Sequence, residues 1–315
     1  MNTRAAKRGV RSIVARTRLT SMMSMPMETI TGDGELARAG FHWRERGGVR
    51  ALVCAPLERA GFANAFSTRA GGVSDFPENS LNLAGFGDDS AANIHENRRR
   101  FLALLPGAWT LAAAWQVHGR EVCVVRNQEA AKQTEQQHCD ALTTSAPALL
   151  VGVKTADCVP VLLGDARSRA CAAVHAGWRG TAHSIVPRAL ERMRAEYGTR
   201  AEDVHAAIGP AALRCCYEVG REVIETFRAN FPTADELLTP TRPGHALIDL
   251  HRANLGQLVS AGVPAAQIHA APLCTICRPD LFFSYRREKK LYGRTGRLLA
   301  VIGLRNADFG LRIDE

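Results

Sequence analysis

Three short peptides interrupt apolar stretches with side chains that can hold a metal or attack a substrate. They are Trp115-Gln116-Val117-His118-Gly119, Thr155-Ala156-Asp157-Cys158-Val159-Pro160 and His175-Ala176-Gly177-Trp178-Arg179-Gly180. His and Cys are the standard nitrogen and sulfur donors for zinc, and a catalytic zinc takes three protein ligands and keeps a fourth position open. His118, Cys158 and His175 would supply that set. The same residues have a plainer use, since a buried Cys is usually inert packing. Their separations are also not those of a compact CxxC…HxxxH signature. A third use is chemical: Cys158 as nucleophile with His175 as its base would make a thiol hydrolase.

Around these peptides lie groups that could assist. Asp157, adjacent to Cys158, is a candidate proton shuttle, or equally a strand-end hydrogen-bond acceptor. Arg69, in a Gly-rich turn, and Arg286, in an aromatic cluster, could clamp phosphate with a bidentate guanidinium fork. Each could instead make a structural ion pair or stack on a ring, and Arg179 reads as structural. Gly71-Gly72, Gly177 and Gly180 suggest turns or backbones that approach a ligand closely. No P-loop or GxGxxG is present, so ATP and NAD are not indicated. Cys274-Thr275-Ile276-Cys277 could be half of a second zinc site or a redox pair. With no second CxxC or HxxxH beside it, a structural or pocket-lining role is expected, and the same holds for Cys215-Cys216, whose direct pairing would be strained.

Strands and turns must bring these residues together. Residues 148–153, 159–163 and 170–175 are short apolar runs separated by turn signals, as buried strands are, with 165–168 as a hairpin connection. Residues 115–125 read as another strand. Ser90 caps a helix that runs to Leu105 and stops at Pro106. Further helices are expected at 185–197, closed by Gly198, at 218–230, and at 249–261, closed by Gly262. Strands are expected at 204–208, 246–248, 267–271 and 298–304. Mixed strands and helices without strict βαβ alternation predict a mixed α/β (α+β) fold. No repeat and no long Pro/Gly/Ser linker appears, which predicts one catalytic domain over 36–315.

Composition bounds the class. The 315 residues are 46% hydrophobic and 23% charged, ordinary for a globular chain with a large core. No window nears the roughly 18 apolar residues of a membrane helix. The net charge of +9 is concentrated: Arg4, Lys7, Arg8, Arg11, Arg16 and Arg18 precede the first acid, Glu28. The remainder carries only about +3, which argues against a nucleic-acid-binding surface. Residues 1–35 are expected to be a disordered extension, with a transit peptide or an early start codon as the other readings of 1–26. Nine cysteines, an odd number, and no export signal fit free thiols in a reducing cytoplasm.

A set of motifs occurs together and in order: Phe66-Ser67-Thr68-Arg69-Ala70-Gly71-Gly72-Val73-Ser74, the three peptides above, Gly209-Pro210 with Cys215-Cys216-Tyr217-Glu218-Val219-Gly220, and Phe282-Phe283-Ser284-Tyr285-Arg286-Arg287. This set, over about residues 60–304, resembles the bacterial family once labelled polyphenol oxidase or laccase-like. Its members are described as purine nucleoside phosphorylases and some as peptidoglycan editing factors. Residues 211–214 depart from the family's usual loop. The resemblance implies a layered α/β/β/α domain with a metal on His118, Cys158 and His175. It also implies adenosine, inosine or methylthioadenosine and phosphate as small-molecule partners. The metal expected is zinc, with hydroxide attack at C6 of adenine giving a deaminase activity as well. Copper is the weaker expectation, because a multicopper oxidase needs many His in His-x-His pairs, whereas this chain has ten His and no such pair. A Cys-His amide hydrolase and a cell-wall editing role are the alternatives.

Overall fold

A computed structural model of the chain describes residues 32–85 and 89–305. In chain order the first strands are β1 (Phe41–Arg46), β2 (Val49–Cys54), β3 (Phe62–Ser67), the hairpin β4 (Ala70–Asp75) and β5 (Glu78–Ser80), β6 (Thr110–Ala113) and β7 (Val122–Val124). The middle of the chain adds β8 (Ala141–Thr144), β9 (Leu149–Thr155), β10 (Val159–Asp165), β11 (Ala170–Ala176) and β12 (Val204–Ile208). The last strands are β13 (Glu218–Gly220), β14 (Leu238–Pro240), β15 (His245–Ile248), β16 (Ile268–Ala270) and β17 (Leu298–Leu304). Two six-stranded sheets result, in the orders β1-β2-β3-β17-β9-β6 and β16-β12-β10-β11-β8-β7. Both are mixed: most neighbours are antiparallel, but β6 with β9, β7 with β8 and β12 with β16 are parallel.

Side-chain alternation stacks these sheets. On β10, Val159, Val161 and Leu163 face one core while Leu162 faces another. On β11, Ala170, Ala172, Val174 and Ala176 alternate in the same way with Cys171 and Ala173. That is the two-residue period of a strand buried on both faces, which is why the sequence shows unbroken apolar runs there. One face of the second sheet packs under the helices Ile185–Tyr197, Arg221–Asn230 and Leu250–Ser260. Its other face meets the first sheet through Leu142, Leu162 and Ala173 against Phe62, Phe66 and Val151. The far face of the first sheet is covered by Phe101 of the helix Ala91–Leu102 and by Leu104 and Leu105. The layers are therefore α/β/β/α, as the resemblance implies.

Several expected elements match their sequence signals. Ser90 caps the helix Ala91–Leu102 by accepting from the Asn93 N–H at 3.1 Å, and Asp249 caps Leu250–Ser260 by accepting from the Arg252 N–H at 2.9 Å. Gly198 closes Ile185–Tyr197 in the left-handed region at φ 69°. Three expectations need correction. The helix capped by Ser90 ends at Leu102 rather than Leu105. Residues 115–121 are not strand, and only Val122–Val124 of that segment pair in a sheet. The helix expected from Glu218 begins at Arg221, because 218–220 pair with β15. The expected extension 1–35 lies outside the described residues apart from 32–35, of which 33–35 open the helix Asp33–Arg38 with Leu36 buried. Among the described residues no helix is long and apolar enough to cross a membrane.

Candidate metal centre

The second sheet delivers the centre at one edge. Cys158 immediately precedes β10, and the β10–β11 register sets Pro160 opposite His175. Asp140 immediately precedes β8, which pairs with β11, and its carbonyl accepts the His175 N–H at 2.7 Å. Three neighbouring strands thus present Asp140, His175 and Cys158 side by side. The loop 115–121 brings His118 over them. It cannot continue as a strand because the Asp140 carboxylate gathers its amides: Oδ1 accepts from the His118 N–H at 2.9 Å, and Oδ2 from those of Val117 at 3.2 Å and Gly119 at 2.7 Å. His118 takes φ 59° to allow this.

The donor atoms of His118, Cys158 and His175 lie within 4.8 Å of one another. The two imidazole rings meet edge to face at 4.9 Å, and Cys158 Sγ sits 3.9 Å from His118 Nε2. His175 is buried, Cys158 half-buried and His118 exposed, so the group opens to solvent on the His118 side. His175 Nδ1 lies 2.8 Å from Asp140 Oδ1. A carboxylate can only accept there, so Nδ1 carries the hydrogen and Nε2 is left as the donor toward the group. Gly177 closes the other side: a Cβ there would stand 3.0 Å from Cys158 Sγ and 3.2 Å from His118 Cδ2.

Charge is shared tightly across the group. Burial alone would push the Cys158 thiol up, but His175 and His118 outweigh it and bring it down to about 6. Burial alone would lower His175, but the Cys158 sulfur and the Asp140 carboxylate raise it to about 9. Burial would also raise Asp140, yet His175 and the amides of Gly119 and Val117 hold it below the ordinary carboxylate range. Two imidazole nitrogens and one sulfur that converge, with a carboxylate behind one imidazole, fit the three protein ligands and outer support of a catalytic metal such as zinc.

The assisting residues are distributed differently. Asp157, at φ 88° and buried, aims its carboxylate at the segment 275–286: Oδ1 accepts from Thr275 Oγ1 at 2.7 Å, and Oδ2 from Ser284 Oγ at 3.0 Å and the Arg286 N–H at 2.6 Å. Burial raises its pKa. The helix Tyr285–Tyr292 therefore starts on two acceptors, Asp157 and its own cap Ser284. Arg286 is exposed, donates Nη1 to the Glu218 carbonyl at 2.6 Å and lies over the Tyr217 ring at 5.0 Å. Burial and the nearby Cys158 sulfur push the Tyr217 hydroxyl up to about 12. Arg69 is enclosed: its Nη1 meets Glu288 Oε1 at 2.7 Å and the carbonyls of Pro279 and Phe282, and its guanidinium covers the Phe283 ring. Arg179 is exposed, over Trp178 and beside Glu222. Gly71, at φ 85°, approaches the Gly48 backbone rather than an open site.

Asp140 is the residue that motif reading missed. Its only sequence signal is an acid immediately before an apolar strand. Glu288, Tyr217 and the spatial union of Cys215-Cys216 with Cys274 and Cys277 were likewise out of reach, because each depends on a contact made across the fold.

The family model described as multi-copper polyphenol oxidoreductase laccase matches residues 63–305. The chain belongs to this family. A purine nucleoside phosphorylase, YlmD, of Geobacillus stearothermophilus is 34% identical over 274 residues, which are 84% of this chain and 97% of the relative. An adenosine deaminase, RL5, from an unknown prokaryotic organism is 37% identical over 254 residues, 76% of this chain and 96% of the relative. The crystal structure of the Bacillus licheniformis hypothetical protein YfiH superposes with a TM-score of 0.76 at 31% identity, covering 84% of this chain and 99% of that one. Such relatives point to an enzyme. The chain has ten His and no His-x-His pair, and among the described residues two of those His share a three-donor group with Cys158.

Proposed function

We propose that this protein is a zinc-dependent purine nucleoside phosphorylase, acting on adenosine, inosine and methylthioadenosine, with a secondary adenosine deaminase activity. The observation that carries the reading is the convergence of His118, Cys158 and His175 on one point with Asp140 behind His175. The names of the relatives supply the substrate class.

In this reading His118 Nε2, Cys158 Sγ and His175 Nε2 hold the zinc, and Asp140 fixes both the His175 tautomer and the loop that carries His118. When bound, zinc supplies Lewis acidity that can activate water at neutral pH. Phosphorolysis joins a phosphate oxygen to C1′ of the ribose, breaks the bond to the purine nitrogen, and requires a proton on the departing base. Arg286 is the guanidinium exposed beside Tyr217 and is assigned to phosphate. Arg69 is assigned to the structure, since Glu288 and two carbonyls already engage it. Asp157 is assigned to positioning the segment 275–286, because its oxygens are occupied by Thr275, Ser284 and the Arg286 amide. The exposed Trp115 and Val117 precede His118 in the chain and offer apolar surface to a purine ring.

A second reading has its own support. A thiol held near 6 beside an imidazole that is itself oriented by Asp140 is also the arrangement of a Cys-His nucleophile and base. Replacements at Cys158 separate the two. As a ligand, Cys158→Asp or Cys158→His keeps some zinc at this centre and some nucleoside turnover, whereas Cys158→Ala loses the turnover and the zinc of this centre. A Cys158→Ala protein with full zinc and no activity, together with a covalent substrate adduct on wild-type Cys158 by mass spectrometry, would move the chain to the thiol hydrolases.

A further inference from the structure

The loop after β12 and the loop after β16 run together and end on four sulfurs. The Ala211 N–H donates to the Leu273 carbonyl at 3.3 Å and the Thr275 N–H to the Ala211 carbonyl at 2.9 Å. Beyond that zipper each loop turns tightly. The Leu213 carbonyl accepts the N–H groups of Cys216 at 3.0 Å and Tyr217 at 2.9 Å, and the Cys274 carbonyl accepts the Arg278 N–H at 3.1 Å. The turns point Cys215, Cys216, Cys274 and Cys277 at one another, with all four Sγ atoms within 4.8 Å. Cys277 Sγ lies 3.0 Å from that of Cys216 and 3.5 Å from that of Cys215. All four thiols are free.

We infer that Cys215, Cys216, Cys274 and Cys277 form a second metal site, a four-thiolate centre that takes zinc and ties the 211–217 loop to the 274–286 segment. Four thiolates around a tetrahedral zinc at about 2.3 Å stand roughly 3.8 Å apart, a spacing this cluster brackets. A disulfide would use only two sulfurs, at about 2.05 Å, and would leave the other two packed against it. Soft thiolates in a set of four select zinc over the hard cations and leave no position open, which marks a structural site. Cys215 and Cys277 are exposed, so an ion has a way in, while Cys274 is buried.

The consequence reaches the first centre. The tied loops supply the Ala212 N–H to the Asp157 carbonyl at 2.9 Å, the Thr275 hydroxyl to the Asp157 carboxylate, and Tyr217 beneath Arg286. Zinc on the four thiolates would hold that wall in place. The inference does not depend on the phosphorylase reading, because it concerns metal content alone.

The test counts zinc in the full chain purified under reducing conditions with zinc present. Wild type should carry two equivalents, Cys158→Ala one, a Cys274→Ser/Cys277→Ser double variant one, and the three substitutions together none. Cadmium-113 loading should give two resonances, of which the double variant loses the thiolate-rich one. A measurement on wild type guards against a misfolded variant: alkylation mapped by mass spectrometry should find all four cysteines protected by zinc and exposed together after chelation. One equivalent in wild type that vanishes in Cys158→Ala would overturn the second site. So would equal alkylation of the four with and without zinc, or a disulfide among them in the purified protein.

Discussion

Replacing Asp140 by Asn tests how the first centre is assembled. The carboxylate accepts four hydrogen bonds, two on each oxygen: His118 N–H and His175 Nδ1 on Oδ1, Val117 and Gly119 N–H on Oδ2. An amide keeps one acceptor oxygen and sets an NH2 group against the other pair of donors. Whichever way it flips, two hydrogen bonds and the charge that strengthened them are lost. That loss should cost about 2–4 kcal/mol of folding stability, since hydrogen bonds to charged groups are worth more than neutral ones. Removing a carboxylate behind a metal-bound imidazole typically lowers metal affinity or activity by about 10- to 100-fold, which is roughly 1.4–2.8 kcal/mol. Zinc affinity is read by competition with a chromophoric chelator, and stability by urea unfolding of the metal-free protein. The acid dependence has a fixed sign. The folded Asp140 pKa lies below its unfolded value near 3.9, so its contribution is present above that pH and is lost as pH falls through the folded value. The Asn variant should lack this part of the acid transition. An Asp140→Asn protein that binds zinc as tightly as wild type, with equal stability, would refute the assembly described here.

Other expectations follow from the same geometry. Gly177→Ala is compatible with its backbone at φ −65°, but the added methyl presses on Cys158 and His118; the variant should melt near wild type yet bind zinc severalfold more weakly by the same competition assay. Arg286→Ala should raise the KM for phosphate by about 30- to 150-fold, the equivalent of one charge-assisted pair at roughly 2–3 kcal/mol, while deamination, which uses water, changes much less. Equal loss of both activities would make Arg286 structural. Arg69→Ala should instead lower the unfolding midpoint and leave the phosphate KM of the remaining folded protein near wild type. In metal-free protein, alkylation of Cys158 should follow a thiolate that forms above about pH 6 rather than near 9, and bound zinc should slow it.

Much of this was legible in the sequence because it is local. The β10–β11 hairpin, the helix Ile185–Tyr197 and the strand Leu298–Leu304 are each set by an apolar run and a nearby turn or cap. The three candidate ligands could be named for the same reason, as reactive residues at the ends of such runs. What stayed hidden depends on contacts between distant segments. The 115–121 segment looks like a strand until the Asp140 carboxylate, 21–23 residues away, captures its amides. Arg69 reads in the sequence as either a phosphate ligand or a structural ion pair, and its contact with Glu288, 219 residues on, is not visible there. Cys274-Thr275-Ile276-Cys277 looks like half a site because its other half is a vicinal pair some 60 residues earlier.

The most direct test of the central reading is ribose 1-phosphate formation from inosine and inorganic phosphate, measured in chelator-stripped protein as zinc is restored, with His175→Ala in parallel. Turnover should require phosphate, be low in the stripped protein, rise as zinc fills the His118, Cys158 and His175 centre, and stay low in His175→Ala at every zinc level. Full turnover by metal-free protein, or no ribose 1-phosphate at any zinc concentration, would contradict it.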